Sequence, residues 1–168
     1  VCIEIFRFSI CFGIEDTFYT KKQIRQKLNI PVLGLWYQLD NHHDGEEELQ
    51  TSLAVQSVMN QDVIFIDIIN GNYAEQFYEQ YTSIFSSKEN GSLQTISYPI
   101  IRQEEYDKLE NANVILVIPF GVPCANQAED IVCELQRRNC HIAGAVLTNC
   151  NYKWVKAYYN KFSTVRGK

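Results

Sequence analysis

Two stretches decide the fold: Val63–Ile69, VIFIDII, and Val114–Pro119, VILVIP. Each is a short, continuous apolar run rather than an alternation of apolar and polar residues. A strand with one solvated face alternates; a strand covered on both faces does not need to. Three further runs, Val32–Tyr37, Leu93–Tyr98 and Ile142–Thr148, complete a set of five candidate strands. Helical patterns lie between them. Glu46–Asn60 carries a stripe of Leu49, Leu53, Val58 and Met59, and Ala74–Ser86 one of Phe77, Tyr81, Ile84 and Phe85. Ala125–Arg138 places Ala128, Ile131, Val132 and Leu135 on one side, with Arg137 and Arg138 in the last turn, where cations suit the helix dipole. Tyr19–Leu28 reads as a short basic helix stopped by Asn29–Ile30–Pro31. Strands alternating with helices predict an α/β fold: three-layer, doubly wound, with a mainly parallel, Rossmann-like sheet of about five strands.

Composition narrows the function classes. The 168 residues are 46% hydrophobic and 21% charged, with 15 Lys and Arg against 20 Asp and Glu for a net charge of −5. That balance fits one globular domain and argues against a nucleic-acid binder, which needs clustered cations along the phosphates. No apolar run reaches the roughly 18–20 residues of a membrane span. The six cysteines include no C-x-x-C pair, and their spacing suits neither a zinc knuckle nor a disulfide framework, so free thiols in a reducing cytosol are expected. The opening stretch, Val1–Ile14, is interrupted by Glu4 and Arg7 and differs from a signal peptide. It reads either as an amphipathic helix or edge strand, or as the juxtamembrane end of a membrane protein.

In parallel sheets, ligands bind at the carboxyl ends of the strands, where a Gly-rich loop opens a helix N-terminus to phosphate. Such a loop needs glycines, a Lys for the β/γ charges and a Ser or Thr for magnesium. The chain has no Gly-Lys-Ser or Gly-Lys-Thr. The loop after the first strand carries five carboxylates, Asp40, Asp44 and Glu46–Glu48, around Gly45, and these repel a nucleotide. The loop after the second, Asn70–Tyr73, has one glycine, Gly71, and no cation. Neither is a working nucleotide cradle.

Other groups carry a chemical reading beside a plainer one. His42, His43 and Asp44 offer donors for a divalent metal, but adjacent residues rarely converge on one ion, and a solvated loop is the expectation. Cys124 opens a helix, where a thiol can become reactive; a structural thiol, packed or facing solvent, is expected instead. His141, preceding a strand, reads as a surface or strand-end residue. Toward the end, Trp154, Tyr158 and Phe162 recur at i, i+4 and i+8, predicting a helix docked on the sheet through that face. Tyr152, Tyr158 and Tyr159 are candidate phospho-acceptors, or part of a docking surface.

Two segments resemble known proteins. Glu15–Asp16–Thr17 followed by Lys21–Gly34, KKQIRQKLNIPVLG, resembles the junction that follows the second transmembrane helix of bacterial polysaccharide copolymerases. Glu110–Asn113, the run Val114–Val122, the helix to Arg138 and Ile142–Asn149 resemble the last βαβ unit of bacterial tyrosine kinases and their MinD-like P-loop relatives. The trailing tyrosines stand where those kinases carry a tyrosine-rich tail. The resemblance implies a junction over residues 1–30 and a kinase-like domain over 31–168.

The departures from that pattern set the expected function. Gln50 and Leu53 stand where arginines would mediate subunit association. In one register Asp67–Tyr73 replaces the Walker A loop. In the other, Gly45–Glu48 stands where Gly-Lys-Ser-Thr would be, with Asp67 at the second (A′) aspartate. Ser97, before Tyr98–Pro99, takes the place of the Walker B aspartate. Without the Lys and a magnesium-holding Asp, ATP-driven phosphoryl transfer is not expected. The resemblance then implies a degenerate, non-catalytic scaffold or regulatory domain of a capsular or exopolysaccharide chain-length or export protein. It would lie on the cytoplasmic side of the inner membrane, bind no cofactor, and contact protein partners of the assembly system or further copies of itself. Membrane contact would come only through an upstream transmembrane helix. The alternative is an active phosphotransferase or nucleotide hydrolase that holds metal in its acidic loop.

Overall fold

The computed structural model describes residues 16–37, 62–85, 93–100 and 102–163. Five strands form one sheet: β1 (Val32–Tyr37), β2 (Asp62–Asp67), β3 (Leu93–Ser97), β4 (Ala112–Pro119) and β5 (His141–Cys150). Their spatial order is β1-β5-β4-β2-β3, and every neighbouring pair is parallel. The expected "mainly parallel" sheet is therefore entirely parallel among the described strands. The five apolar runs became the five strands, with ends displaced by a residue or two.

Five helices accompany them: α1 (Lys21–Leu28), α2 (Tyr73–Phe85), α3 (Gln103–Leu109), α4 (Ala125–Arg137) and α5 (Tyr152–Ser163). α1 starts with a reciprocal cap. The Thr20 hydroxyl accepts from the Gln23 amide at 3.2 Å, and the Gln23 side-chain oxygen accepts from the Thr20 amide at 3.1 Å. It ends at Asn29, which adopts φ 53° and donates its N–H to the Arg25 carbonyl. The expected stop thus operates through asparagine in the left-handed region, with Pro31 beyond it. α3 was not anticipated. Its seven residues give only Tyr106 and Leu109 to the core, too few for a readable period.

The direction of chain travel assigns the helices to two faces. From β2 the chain moves outward to β3, whereas from β4 it moves the other way to β5. Right-handed crossovers then put the intervening helices on opposite sides of the sheet. The core divides accordingly. On one face Ile24 and Leu28 of α1, Tyr106 and Leu109 of α3, Ile131 and Leu135 of α4, and Val155 of α5 pack over Ile64, Ile66, Leu116 and Leu147. On the other, Ala74 and Phe77 of α2 pack with Trp36, Phe65, Ile115 and Val146. Phe77 meets Trp36 and Phe65 edge-on, at centroid separations of 5.1 and 5.3 Å. Burying rings of this size contributes roughly 2–3 kcal/mol each.

The stripe expected on α4 is found, with Ala128, Ile131, Val132 and Leu135 all buried. The face expected for α5 is not. Trp154 is 69% exposed, and the helix rests on the sheet through Val155 and Tyr152 instead. The Tyr152 ring lies edge-on to Tyr37 at 6.0 Å. The sequence offers two interleaved apolar stripes, and the one starting at Tyr152 faces inward because β5 delivers the chain beside β1. The N-terminal stretch Val1–Ile14 and the helix expected at Glu46–Asn60 lie outside the described residues.

Candidate functional site

Because the chain leaves β2 and β4 in opposite directions, the carboxyl ends of these adjacent strands form the switch point at which such sheets bind ligands. What stands there is Asp67, the last residue of β2 and only 1% exposed. One of its carboxylate oxygens, Oδ2, accepts from the backbone amides of Tyr73 at 2.6 Å and Ala74 at 3.3 Å. The other, Oδ1, accepts from the amide of Ile69 at 3.2 Å. The first amides of a helix have no partner within it and carry the positive end of its dipole. In a phosphate-binding loop they hold the ligand; here they hold a side chain of the chain itself.

The loop is shaped to bring this about. Asn70 and Asn72 both take positive φ, 51° and 58°, a region asparagine tolerates better than most residues. Gly71 lies between them. A Cβ there would stand 2.3 Å from Cε2 of the Tyr73 ring, so the absent side chain makes room for the ring. The chain thereby doubles back over six residues and returns the start of α2 to Asp67.

The second helix at the switch point, α4, is closed in the same manner. Its N-cap, Cys124, makes no side-chain cap. Asp16 supplies one from 110 positions away: its carbonyl accepts from the amides of Cys124 and Ala125 at 2.8 and 2.9 Å, and its carboxylate accepts from Asn126 at 3.0 Å. The same strand of chain bridges Thr17 to Pro123 and takes the Gly121 amide on the Phe18 carbonyl. Tyr19 stacks edge-on against Phe120, with centroids 5.4 Å apart. Both helix N-termini at the crevice are thus occupied by the protein's own aspartates.

Cys124, between them, is fully buried, and burial above all, then the charges of Asp16 and Asp67, pushes its thiol up to about 12. It is a structural thiol, as the plainer reading expected, and of the two settings left open it takes the packed one. Ser97 ends β3 beside Asp67, and the amide after it, from Tyr98, donates to the Asp67 carbonyl at 2.8 Å.

A second polar cluster joins α3 to α4. The Tyr106 hydroxyl donates to the Glu134 carboxylate, and the Arg138 guanidinium lies 3.7 Å over the Tyr106 ring. Burial first, then the bond to Glu134 and its charge, raises the Tyr106 phenol to about 12. His141 stands at the exposed start of β5, as expected, with Nδ1 2.7 Å from Asn113 Oδ1; the Asn113 amide nitrogen is buried without a partner.

Of the candidate residues, Asp67, Gly71 and Ser97 come together at the strand ends. Gly45, His42, His43 and Asp44 lie outside the described residues, and among those described no group of three or more metal-ligating side chains assembles. Tyr152 is half-buried at the start of α5; Tyr158 and Tyr159 belong to that helix, but their side chains are not described. The capping roles of Asp67 and Asp16 were missed. A trace was available in Asp67 closing an otherwise apolar run, but none for Asp16. No helix among the described residues is long and apolar enough to cross a membrane.

No protein-family model matches the sequence, and no curated protein matches it. Among solved structures the chain is similar to the chimerical protein CapA2B2, with a TM-score of 0.54 and 9% identity over 77% of this chain and 99% of that one. At that identity the likeness is one of fold: a Rossmann-like α/β architecture with a parallel sheet.

Proposed function

We propose that this chain is a non-catalytic scaffold or regulatory domain, related in descent to the bacterial tyrosine kinases, of a capsular or exopolysaccharide chain-length or export protein. It acts through protein contacts on the cytoplasmic side of the inner membrane, not through phosphoryl transfer. One observation carries the reading: the carboxylate of Asp67 accepts the amides of Tyr73 and Ala74 that a phosphate would otherwise take. A fixed anion in that position repels a second one, and the loop around it brings no lysine to offset the repulsion. Ser97 in place of an aspartate removes a ligand for magnesium. The ordered sequence motifs support the family assignment, and the likeness to CapA2B2 supports the architecture that those motifs require.

Isothermal titration of the chain with ATP and magnesium tests the reading. No binding heat is expected across the micromolar range. Micromolar affinity would overturn it and favour an active site built differently.

A further inference from the structure

The net charge of −5 conceals a division. Residues 151–168 hold five of the fifteen cations, Lys153, Lys156, Lys161, Arg166 and Lys168, and none of the twenty carboxylates, which leaves −10 on the first 150 residues. The same short segment holds five of the aromatic residues, Tyr152, Trp154, Tyr158, Tyr159 and Phe162. α5 fixes how the first part of it is displayed. Val155 is buried against the sheet and Tyr152 packs on Tyr37, so the inward side of the helix is committed. Lys153, Trp154, Lys156 and Ala157 are all exposed. Trp154 is the one large apolar side chain among the described residues left in water. Lys156 reaches back over the Tyr152 ring at 5.6 Å.

We propose that the outward side of α5 is a contact surface for an anionic lipid bilayer. Tryptophan and tyrosine favour the headgroup level, where an apolar ring and a polar edge are both satisfied. Lysines beside them gain from the negative surface potential of a leaflet containing anionic lipid. Duplex DNA is held by cations along its phosphates and gains nothing from an outward tryptophan, and a single strand, whose bases could stack on that ring, is opposed by the net −10 on the rest of the chain. The rest of the chain carries a net −10, and α1, with Lys21, Lys22, Arg25 and Lys27, is the other basic helix among the described elements; α5 adds to its cations the outward Trp154 that α1 lacks, and so is the side turned toward the bilayer. The proposal stands apart from the scaffold reading, since lipid contact requires neither loss nor retention of nucleotide binding.

Co-sedimentation of the full chain with vesicles tests it, using phosphatidylcholine alone and phosphatidylcholine mixed with phosphatidylglycerol. Binding is expected to the anionic vesicles only, and to be lost at high salt. Trp154 emission should shift to the blue on binding, while buried Trp36 contributes a constant background; the shift should vanish in W154F. Each of K153Q and K156Q should weaken partitioning about fivefold, and together about twenty-five-fold, from about 1 kcal/mol per lysine at the surface. The charge-preserving K153R/K156R variant should bind as the parent does. Absence of binding, equal binding to neutral vesicles, or loss of binding in K153R/K156R would overturn the proposal. So would tighter capture by polyglutamate or by duplex DNA than by anionic vesicles, which would point to an acidic protein or a nucleic acid instead.

Discussion

Asp67 Oδ2 lies 2.6 Å from the backbone nitrogen of Tyr73, so the buried end of β2 caps the helix that follows it six residues later. Three amides depend on this one carboxylate. Asp67→Ala strands them, Ala74 in a buried setting and Ile69 and Tyr73 in half-buried ones, and should lower unfolding free energy by about 2–3 kcal/mol. Asp67→Asn keeps an acceptor and should lose only about 1 kcal/mol. Chemical denaturation of the two variants checks both the loss and its order. Equal stabilities for Ala and Asn would show that the carboxylate is not the cap.

The Phe77 ring fills the space between Trp36 and Phe65 on the face covered by α2. Phe77→Ala should cost about 3–5 kcal/mol, and Phe77→Leu markedly less, because the cavity is smaller. Thermal or denaturant unfolding provides the measurement.

Gly144 sits where β5 passes closest to the entry of β1. A Cβ there would stand 2.9 Å from the Pro31 carbonyl oxygen, a backbone atom that cannot rotate away, and the same oxygen accepts the Ala145 amide. Gly144→Ala should therefore destabilise by about 1–3 kcal/mol and perturb the β1–β5 pairing. Hydrogen exchange at the Ala145 amide should accelerate more than exchange in β2.

The Cys124 thiol, held near 12 against its usual 9, is matched to the fold only while neutral. Its folded value lies above the unfolded one, so its contribution to stability is intact below about pH 9 and is lost as pH rises toward 12. Near pH 8, thiol labelling followed by peptide mapping should, among the described cysteines, modify exposed Cys133 first. Buried Cys124, Cys140 and Cys150 should react only on unfolding. Rapid labelling of Cys124 in the native protein would contradict this placement.

Tyr106 behaves in the same direction. Its phenol, raised from 10 to about 12, should be among the last to ionise in an alkaline absorbance titration, and Tyr106→Phe should remove that late component. The stability supplied by its bond to Glu134 persists below pH 10 and fades between 10 and 12. Loss of the hydrogen bond in Tyr106→Phe should cost about 1–2 kcal/mol near neutral pH.

Much of the sheet was legible because a strand buried on both faces is largely apolar, and Val63–Ile66 and Val114–Ile118 are continuous apolar runs of strand length. The limits of legibility have equally specific causes. α3 is too short for its two core residues to establish a period. Trp154 and Val155 belong to adjacent stripes of one helix, and only the position of β1 decides which turns inward. The absence of a phosphate loop could be read from the missing lysine. What replaces the phosphate could not, because Asp67 becomes a cap only once Asn70 and Asn72 have turned the chain back upon it.

Asp16 and Asn126 meet across 110 positions, so the strand ends are stitched by chain that arrives before the first strand begins. A protein trimmed to start at Val32 would retain every strand and still lose the acceptors for the amide of the α4 N-cap, Cys124, and for the first two amides of α4. Asp16 is in this sense a latch: closure of the crevice at α4 depends on a segment that adds no strand to the sheet.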